Sequence, residues 1–427
     1  MAYPMNKPRV KAADADVKTI SEPETLVGRP GGISREQVVE LTSKLIAIPS
    51  VNGEEGCLGE YLRELFQILG LQVVTQEVAP GRFNVLGIWP PIEEIAVATA
   101  GLLLHAHYDT AAPYDMEEPF SGAVRGGYIW GRGTVDQKGG LAAAIMAVAT
   151  VKSLGFKPSK PVVVAAVVDE EAEHRGSSRL VQSGLKADMA IVTEPSSLRI
   201  VPGCKGTVPL KIEVEGRAAH GCRPWLGINA VARALPILKR LFELTYPEVD
   251  LGPELGRIRG SLNVGLIQGG VAYNMVPASC TIWLDRRTVP GETPAGVMAE
   301  IQKVLTLARE EVPDLKADVS IARPDWNWEP IRKRGLNPAL TAVDSAVVSL
   351  VRETHQQVLG KDPVLYFTDG YNELDFLVND LGIPSIQYGP GDSRLAHTSE
   401  ERVEVEELIT CTEVYARLIL KACGGEV

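Results

Sequence analysis

Leu102-Leu103-Leu104-His105-Ala106-His107-Tyr108-Asp109 is the stretch on which the fold of this 427-residue chain turns. Three consecutive leucines in a strand need apolar contact on both of its sides, so this strand belongs to a sheet covered by helices on both faces. The run ends in polar residues spaced two apart, which sets His105, His107 and Asp109 on one side of the strand near its C-terminal end. Open α/β sheets bind ligands at that end. A second apolar run, residues 162–168, leads straight into Asp169-Glu170-Glu171. On a surface three acids in a row are ordinary solvated charge, but at the edge of a buried sheet they repel one another unless a cation neutralises them.

Working outward, Ser34 caps a helix whose apolar residues Val38, Val39, Leu41, Leu45 and Ile46 recur at helical spacing until Pro49 stops it, and a second helix follows. Strands are expected at 71–76, 84–89, 98–105, 161–168 and 189–192, with a helix at 139–154. Beyond Pro202 the order changes to strand 208–214, helix 228–244, strands 261–267 and 279–285, helix 295–311 and strand 318–322. That is βαββαβ, a ferredoxin-like unit. After Pro330 helix and strand alternate again, with a helix at 340–358, strands at 363–367 and 384–388, and a closing helix at 404–420. The expected fold is therefore α/β: a mixed, mostly parallel sheet flanked by helices, formed by residues 34–203 and 326–427. The βαββαβ unit, residues 204–325, is inserted into it, and residues 1–33 form an irregular N-terminal arm.

Composition narrows the function. Lys and Arg number 43 against 54 Asp and Glu, a formal charge of −11, so the surface field repels phosphate backbones and nucleic acid is not an expected partner. Six cysteines, Cys57, Cys204, Cys222, Cys280, Cys411 and Cys423, are scattered without a CxxC pair. They read as separate reduced thiols in a cytoplasmic protein, neither a disulfide framework nor a thiolate zinc site. No apolar run approaches the ~18 residues that a membrane span needs, so a soluble protein without a membrane partner is expected.

With only six histidines, each can be weighed. In His107-Tyr108-Asp109 a carboxylate that takes one imidazole N–H leaves the other nitrogen for a metal. Gly131-Arg132-Gly133-Thr134-Val135-Asp136-Gln137-Lys138-Gly139-Gly140 places an acid just before a helix; it fits neither dinucleotide nor P-loop spacing, and Asp136 would repel phosphate. Glu194 follows another strand end, and His397 follows Gly389-Pro390-Gly391. Taken singly, such residues are more often helix caps or satisfied hydrogen-bonders. Taken jointly, three strand ends and two loops deliver a set of imidazoles and carboxylates that suits Zn²⁺, Mn²⁺ or Co²⁺.

These motifs, in this order and spacing from about residue 34 to residue 420, resemble the metal-dependent hydrolase family of aminoacylase, acetylornithine deacetylase, succinyl-diaminopimelate desuccinylase and glutamate carboxypeptidase. The resemblance implies one or two divalent metals per subunit. His107, Asp136, Glu171, Glu194 and His397 would be ligands, with Asp136 shared between two ions, Asp109 orienting His107, and Glu170 acting as general base and then acid. It further implies that the inserted unit is a lid and dimerisation domain. There the segment around His220 reaches the neighbouring subunit's site in a homodimer, and Asn274 and Arg287 contact the small-molecule substrate. The chain departs from the family's usual residues at Ala106, where Gly is common, and at Gln137, where Met is common. The segment 367–376 fits the family's Thr-Asp-rich segment by Asp369 or by Asp375, and His105, His174 and His355 are left with structural roles.

The implied reaction is hydrolysis of a C–N bond, by default the amide of an N-acyl amino acid or short peptide. A hydrolytic deaminase acting on a carbamoyl, amidine or electron-poor arylamine group is the alternative, with Trp225, Trp326 and Trp328 placed to flank a flat substrate. A non-catalytic metal-binding scaffold is the remote one. An amidohydrolase barrel would also begin with an His-x-His strand, but the βαββαβ insertion has no place in its strand order.

Overall fold

The computed structural model describes residues 25–29, 32–246, 248–323 and 327–426. Most of the arm at 1–33, and Trp326, lie outside the described residues. Ser34 opens helix α1 (Arg35–Ala47) with a capping box: its hydroxyl accepts the Gln37 N–H, and the Gln37 side chain accepts the Ser34 N–H. Helix α2 (Gly56–Ile68), strands β1 (Gln72–Ala79), β2 (Arg82–Trp89) and β3 (Leu102–His107), helix α3 (Lys138–Ser153), strand β4 (Val162–Val167), helix α4 (Arg175–Gln182) and strand β5 (Ala190–Val192) follow. The next stretch runs β6 (Gly206–Glu215), α5 (Ala230–Phe242), β7 (Ser261–Gly269), β8 (Ser279–Thr288), α6 (Pro294–Glu311) and β9 (Ala317–Ile321). The chain returns through α7 (Ala346–Leu359), β10 (Ser385–Gln387) and α8 (Val405–Ala422).

The main sheet has the order β1-β2-β4-β3-β5-β10. Its first two pairings are antiparallel and the remaining three parallel. This is the mixed, mostly parallel α/β architecture. Every residue of β3 and β4 is buried, because α3 and α8 pack on one face while Leu180, Leu374 and Leu377 pack on the other. Each such Val or Leu contributes about 1.5–3 kcal/mol relative to an exposed side chain, so the centre of the sheet is its most rigid part. The register decides what the strand ends present. His107 lies opposite Val167, and His105 opposite Val192. The segments that follow β4 and β5 therefore emerge beside His107.

The inserted stretch forms a second sheet, β7-β8-β6-β9, all antiparallel, with α5 and α6 on one face. Ala234, Ile237, Leu241, Val297, Ile301 and Leu305 close a core of its own over Leu210, Ile212, Ile282 and Leu284. β7 is an edge strand and largely exposed.

Three strand or helix assignments differ from the sequence pattern. The expected strand 98–105 is broken at Gly101, where Thr99–Ala100 pairs separately with Lys186–Ala187 and β3 begins only at Leu102. A Cβ at Gly101 would stand 2.6 Å from the Ala422 carbonyl oxygen, so chain packing rather than strand periodicity sets that break. Residues 363–367 form no strand. They run beside Ile200, exchanging Ile200 N–H to Val364 O and Tyr366 N–H to Ile200 O, a single rung next to a proline that has no N–H to extend it. The helix expected from 340 begins at Ala346, because Ala339–Leu340 is drawn into a ladder with Gly203–Cys204.

Gly140, in the first turn of α3, approaches the end of β5 so closely that a Cβ would meet the Thr193 carbonyl oxygen at 2.2 Å. Gly140→Ala is expected to lower the unfolding free energy by about 1–3 kcal/mol in denaturant titrations. Gly296→Ala, at an exposed position in the first turn of α6 with its nearest neighbour at 3.4 Å, is expected to be neutral or slightly stabilising.

Candidate metal centre

The end of β3 supplies His107, whose imidazole is fully buried. Its Nδ1 lies 2.9 Å from the Asp109 backbone carbonyl, which can only accept, so Nδ1 carries a proton and Nε2 is the nitrogen left to face a metal or, without one, to carry a second proton toward the acids around it. That Nε2 faces Asp136 Oδ1 at 3.0 Å and Glu194 Oε1 at 3.4 Å. The Asp109 carboxylate is 3.5 Å from Nδ1 and itself accepts the Glu170 and Glu171 N–H groups, at 3.1 Å each, and the Asn52 amide at 2.9 Å. One buried acid thus ties the histidine to the loop that carries both glutamates.

That loop leaves β4 through Asp169, whose φ of +72° is left-handed. Asp169 is not a third acid of the centre. Its carboxylate accepts from Arg82 at 2.6 Å and Asn52 at 3.2 Å, so a guanidinium neutralises it. Glu171 Oε1 accepts the Ala111 N–H at 2.9 Å and stands 3.0 Å from His397 Nε2, which is 3.3 Å from Asp136 Oδ2. The ligand atoms of His107, Asp136 and Glu194 all lie within 4.8 Å of one another, and so do those of Asp136, Glu171 and His397. Asp136 belongs to both groups, one oxygen to each histidine. Two imidazole nitrogens and carboxylate oxygens with no sulfur are a donor set that fits borderline and hard divalent ions.

Glu401 holds Asp136 in place. Its Oε1 accepts the N–H groups of Gly133 (2.9 Å), Val135 (3.0 Å) and Asp136 (3.1 Å), and its other oxygen pairs with buried Arg132. Sequence reasoning passed over Glu401, although an acid four residues after His397 was the available signal. It also passed over Glu373. That buried carboxylate lies between the two registers considered for the Thr-Asp-rich segment, 3.3 Å from His174 Nδ1 and 3.6 Å from His105 Nε2. Asp369 instead pairs with Lys205 at 2.6 Å on the surface, and Asp375 is consumed by Arg334 (2.6 Å) and the Asn337 N–H (2.8 Å). His105 also contacts Ser177 Oγ at 2.9 Å, and His355 the Tyr388 hydroxyl at 2.9 Å.

The remaining candidates belong to the inserted unit. His220 is exposed; its Nδ1 accepts the Cys222 N–H, and its backbone bridges Met275. Asn274, also exposed, accepts the Gly221 N–H, so these two residues lie side by side. Arg287 donates to Asp285 at 3.0 Å. None of the three belongs to either ligand group. Trp225 is exposed and Trp328 stacks on Arg175.

Packing so many carboxylates together shifts their protons. Burial pushes the Glu194 carboxyl up to about 7, helped by the charge of Asp136. Burial likewise raises Glu170 well above the ordinary carboxylate value despite the opposing pull of His107. At Asp136 burial also pulls upward, but hydrogen bonds from His107 and His397 outweigh it and the carboxyl stays low. Hydrogen bonds to Asp136 and Glu171 lift His397 to about 10. Without a metal, these shifts favour the protonated forms of the glutamates and of His397.

Residues 103–421 match the model of peptidase family M20/M25/M40, and the chain belongs to that family. It is a metal-dependent hydrolase acting on carbon–nitrogen bonds. The acetylornithine deacetylase of Myxococcus xanthus is 32% identical over 333 residues, covering 76% of this chain and 81% of that one. The fold is shared with a tripeptidase of Staphylococcus aureus (TM-score 0.73, 22% identity, 92% of this chain and 100% of the other). It is shared also with a dinuclear metal-binding peptidase of Bacillus subtilis (TM-score 0.66, 14% identity, 91% and 98%).

A pH dependence follows for metal-free protein. Glu194 rises from 4.5 to about 7 on folding, so the stability its proton contributes is whole below pH 4.5 and lost as pH rises through about 7. For His397 the corresponding loss runs from 6.5 to about 10. The melting temperature of metal-free protein is expected to fall between pH 5 and pH 9, and added divalent metal to flatten that fall. Thermal unfolding with and without metal checks both.

Proposed function

We propose that the protein hydrolyses the amide bond of an N-acyl amino acid or a short peptide at a dinuclear site. There His107, Asp136 and Glu194 hold one divalent ion, and Asp136, Glu171 and His397 the other. The observation that carries this reading is the division of the two Asp136 oxygens between His107 and His397, at 3.0 and 3.3 Å. The similarity to a deacetylase and the shared fold of a tripeptidase support the amide as the bond. When bound, the metals supply a water of lowered pKa and positive charge for the developing oxyanion.

The chain's own residues do the rest. Glu170, held basic by burial, takes the proton of the attacking water and returns it to the departing nitrogen. Asp109 keeps His107 in one tautomer and, through two N–H groups, keeps Glu170 and Glu171 at the mouth of β4. Residues 34–203 and 326–427 act as the catalytic domain, and residues 204–325 as a lid and dimerisation domain. The dimer is supported by the exposed apolar residues Leu235 and Phe242 on α5 and Leu266 and Ile267 on edge strand β7. His220 and Asn274 reach the partner's substrate, and Arg287 turns from Asp285 to a substrate carboxylate, for which its forked guanidinium is shaped. Six free thiols support a cytoplasmic location.

Glu170→Gln is expected to lower kcat by about 10²–10⁴-fold while metal content stays at the wild-type level. Unchanged turnover on the best of a panel of N-acyl amino acids and peptides would remove Glu170 from this role. Ammonia released without a carboxylate would turn the reading to deamination. His220→Ala alone is expected to be nearly inactive, and mixing it with Glu170→Gln under subunit exchange to regain activity, because a mixed dimer contains one site with both groups intact. No regain would place His220 outside the partner's site.

A further inference from the structure

Gln137 follows the shared aspartate directly and precedes α3, and its side chain is fully buried. Its amide nitrogen donates to Glu194 Oε1 at 2.7 Å, and its amide oxygen accepts the Thr193 hydroxyl. Glu194 Oε1 is the same atom that stands 3.4 Å from His107 Nε2. The NH₂ end of the amide is turned to the Glu194 oxygen, which accepts; the oxygen end is then left for Thr193, whose hydroxyl donates. The result is a directional chain from Thr193 through Gln137 to Glu194, in which each buried bond polarises the next. Methionine, frequent at this position in the family the motifs resemble, has no N–H to offer.

We propose that Gln137 is a positioning residue for the His107 metal position, fixing the face that the Glu194 carboxylate turns toward His107, with Thr193 acting through it. Glu194 sits where β5 gives way to irregular backbone, and a buried carboxylate there has rotamers that its own strand does not restrict. A donor at 2.7 Å removes that freedom before any ion arrives. The effect is confined to one position: among the described residues Gln137 bonds neither Glu171 nor His397. This inference rests on the metal-centre reading above, and the experiment separates the two.

Zinc affinity is measured by chelator competition, with zinc content read by elemental analysis, in two backgrounds. His397→Ala leaves only the His107 position with its three donors, and His107→Ala leaves only the His397 position. In the first background Gln137→Met is expected to weaken zinc binding about 10–100-fold, and in the second to leave it unchanged. In the first background Thr193→Val is expected to weaken binding less, Thr193→Ser to match its parent, and Gln137→Met with Thr193→Val together to be no weaker than Gln137→Met alone. Equal weakening in both backgrounds would mean general loosening and overturn the proposal, as would unchanged affinity in the first. Should Gln137→Met fail to melt cooperatively, the Thr193→Val and Thr193→Ser pair decides on the same criterion. Wild-type protein that takes up no zinc at all would overturn the metal centre itself, and the role of Gln137 with it.

Discussion

One carboxylate facing two imidazoles is the contact around which this molecule is arranged. Asp136 offers Oδ1 to His107 and Oδ2 to His397, residues 290 positions apart in the chain (397 − 107). It does so because its backbone is not free to turn: Glu401 gathers the N–H groups of Gly133, Val135 and Asp136 on one oxygen. A loop of this kind, rich in glycine, would otherwise have many conformations of similar energy. A buried acid with several N–H partners over-determines one of them.

The surrounding electrostatics have a single logic. Carboxylates are concentrated at the ends of β4 and β5 and on the loops facing them, and buried ones outside the two ligand groups have other partners: Asp169 has Arg82, Glu401 has Arg132, Asp375 has Arg334, and Glu373 has His174 and His105. Among the described residues, those that are directed there pair with histidine. Burial raises the carboxyls of Glu170, Glu171 and Glu194, since an uncompensated buried charge is more costly than a neutral acid. Divalent cations can supply that compensation in place of protons, and the same burial that raises Glu170 strengthens it as a base.

The inserted sheet contributes through a different kind of placement. It carries its own helices and core, and it presents His220 and Asn274 together on an exposed corner, held by a backbone bridge between 220 and 275. Its attachment to the main sheet passes close to the centre. Glu173, three residues after Glu170, accepts the N–H groups of Asn327 and Trp328, where the chain comes back from the insertion. The loop bearing the two glutamates is therefore also the loop that receives the returning chain.

The sequence by itself determined the layer order and the identity of the main chemical groups. Continuous apolar runs at 102–104 and 162–168 indicate strands buried on both faces, and the switch to βαββαβ between 208 and 322 marks a second sheet whatever its orientation. The acids and histidines at the ends of those runs were legible because strand periodicity places them. What only the tertiary structure decided is which neighbours share each charge. Asp169, Glu170 and Glu171 are indistinguishable as a string, yet Arg82, 87 residues away in sequence, takes the first out of the centre. The roles of Glu401, Glu373 and the Thr193–Gln137–Glu194 chain were likewise undecided, because they arise from contacts between segments far apart in sequence, and local periodicity carries no information about hydrogen bonds that only folding creates.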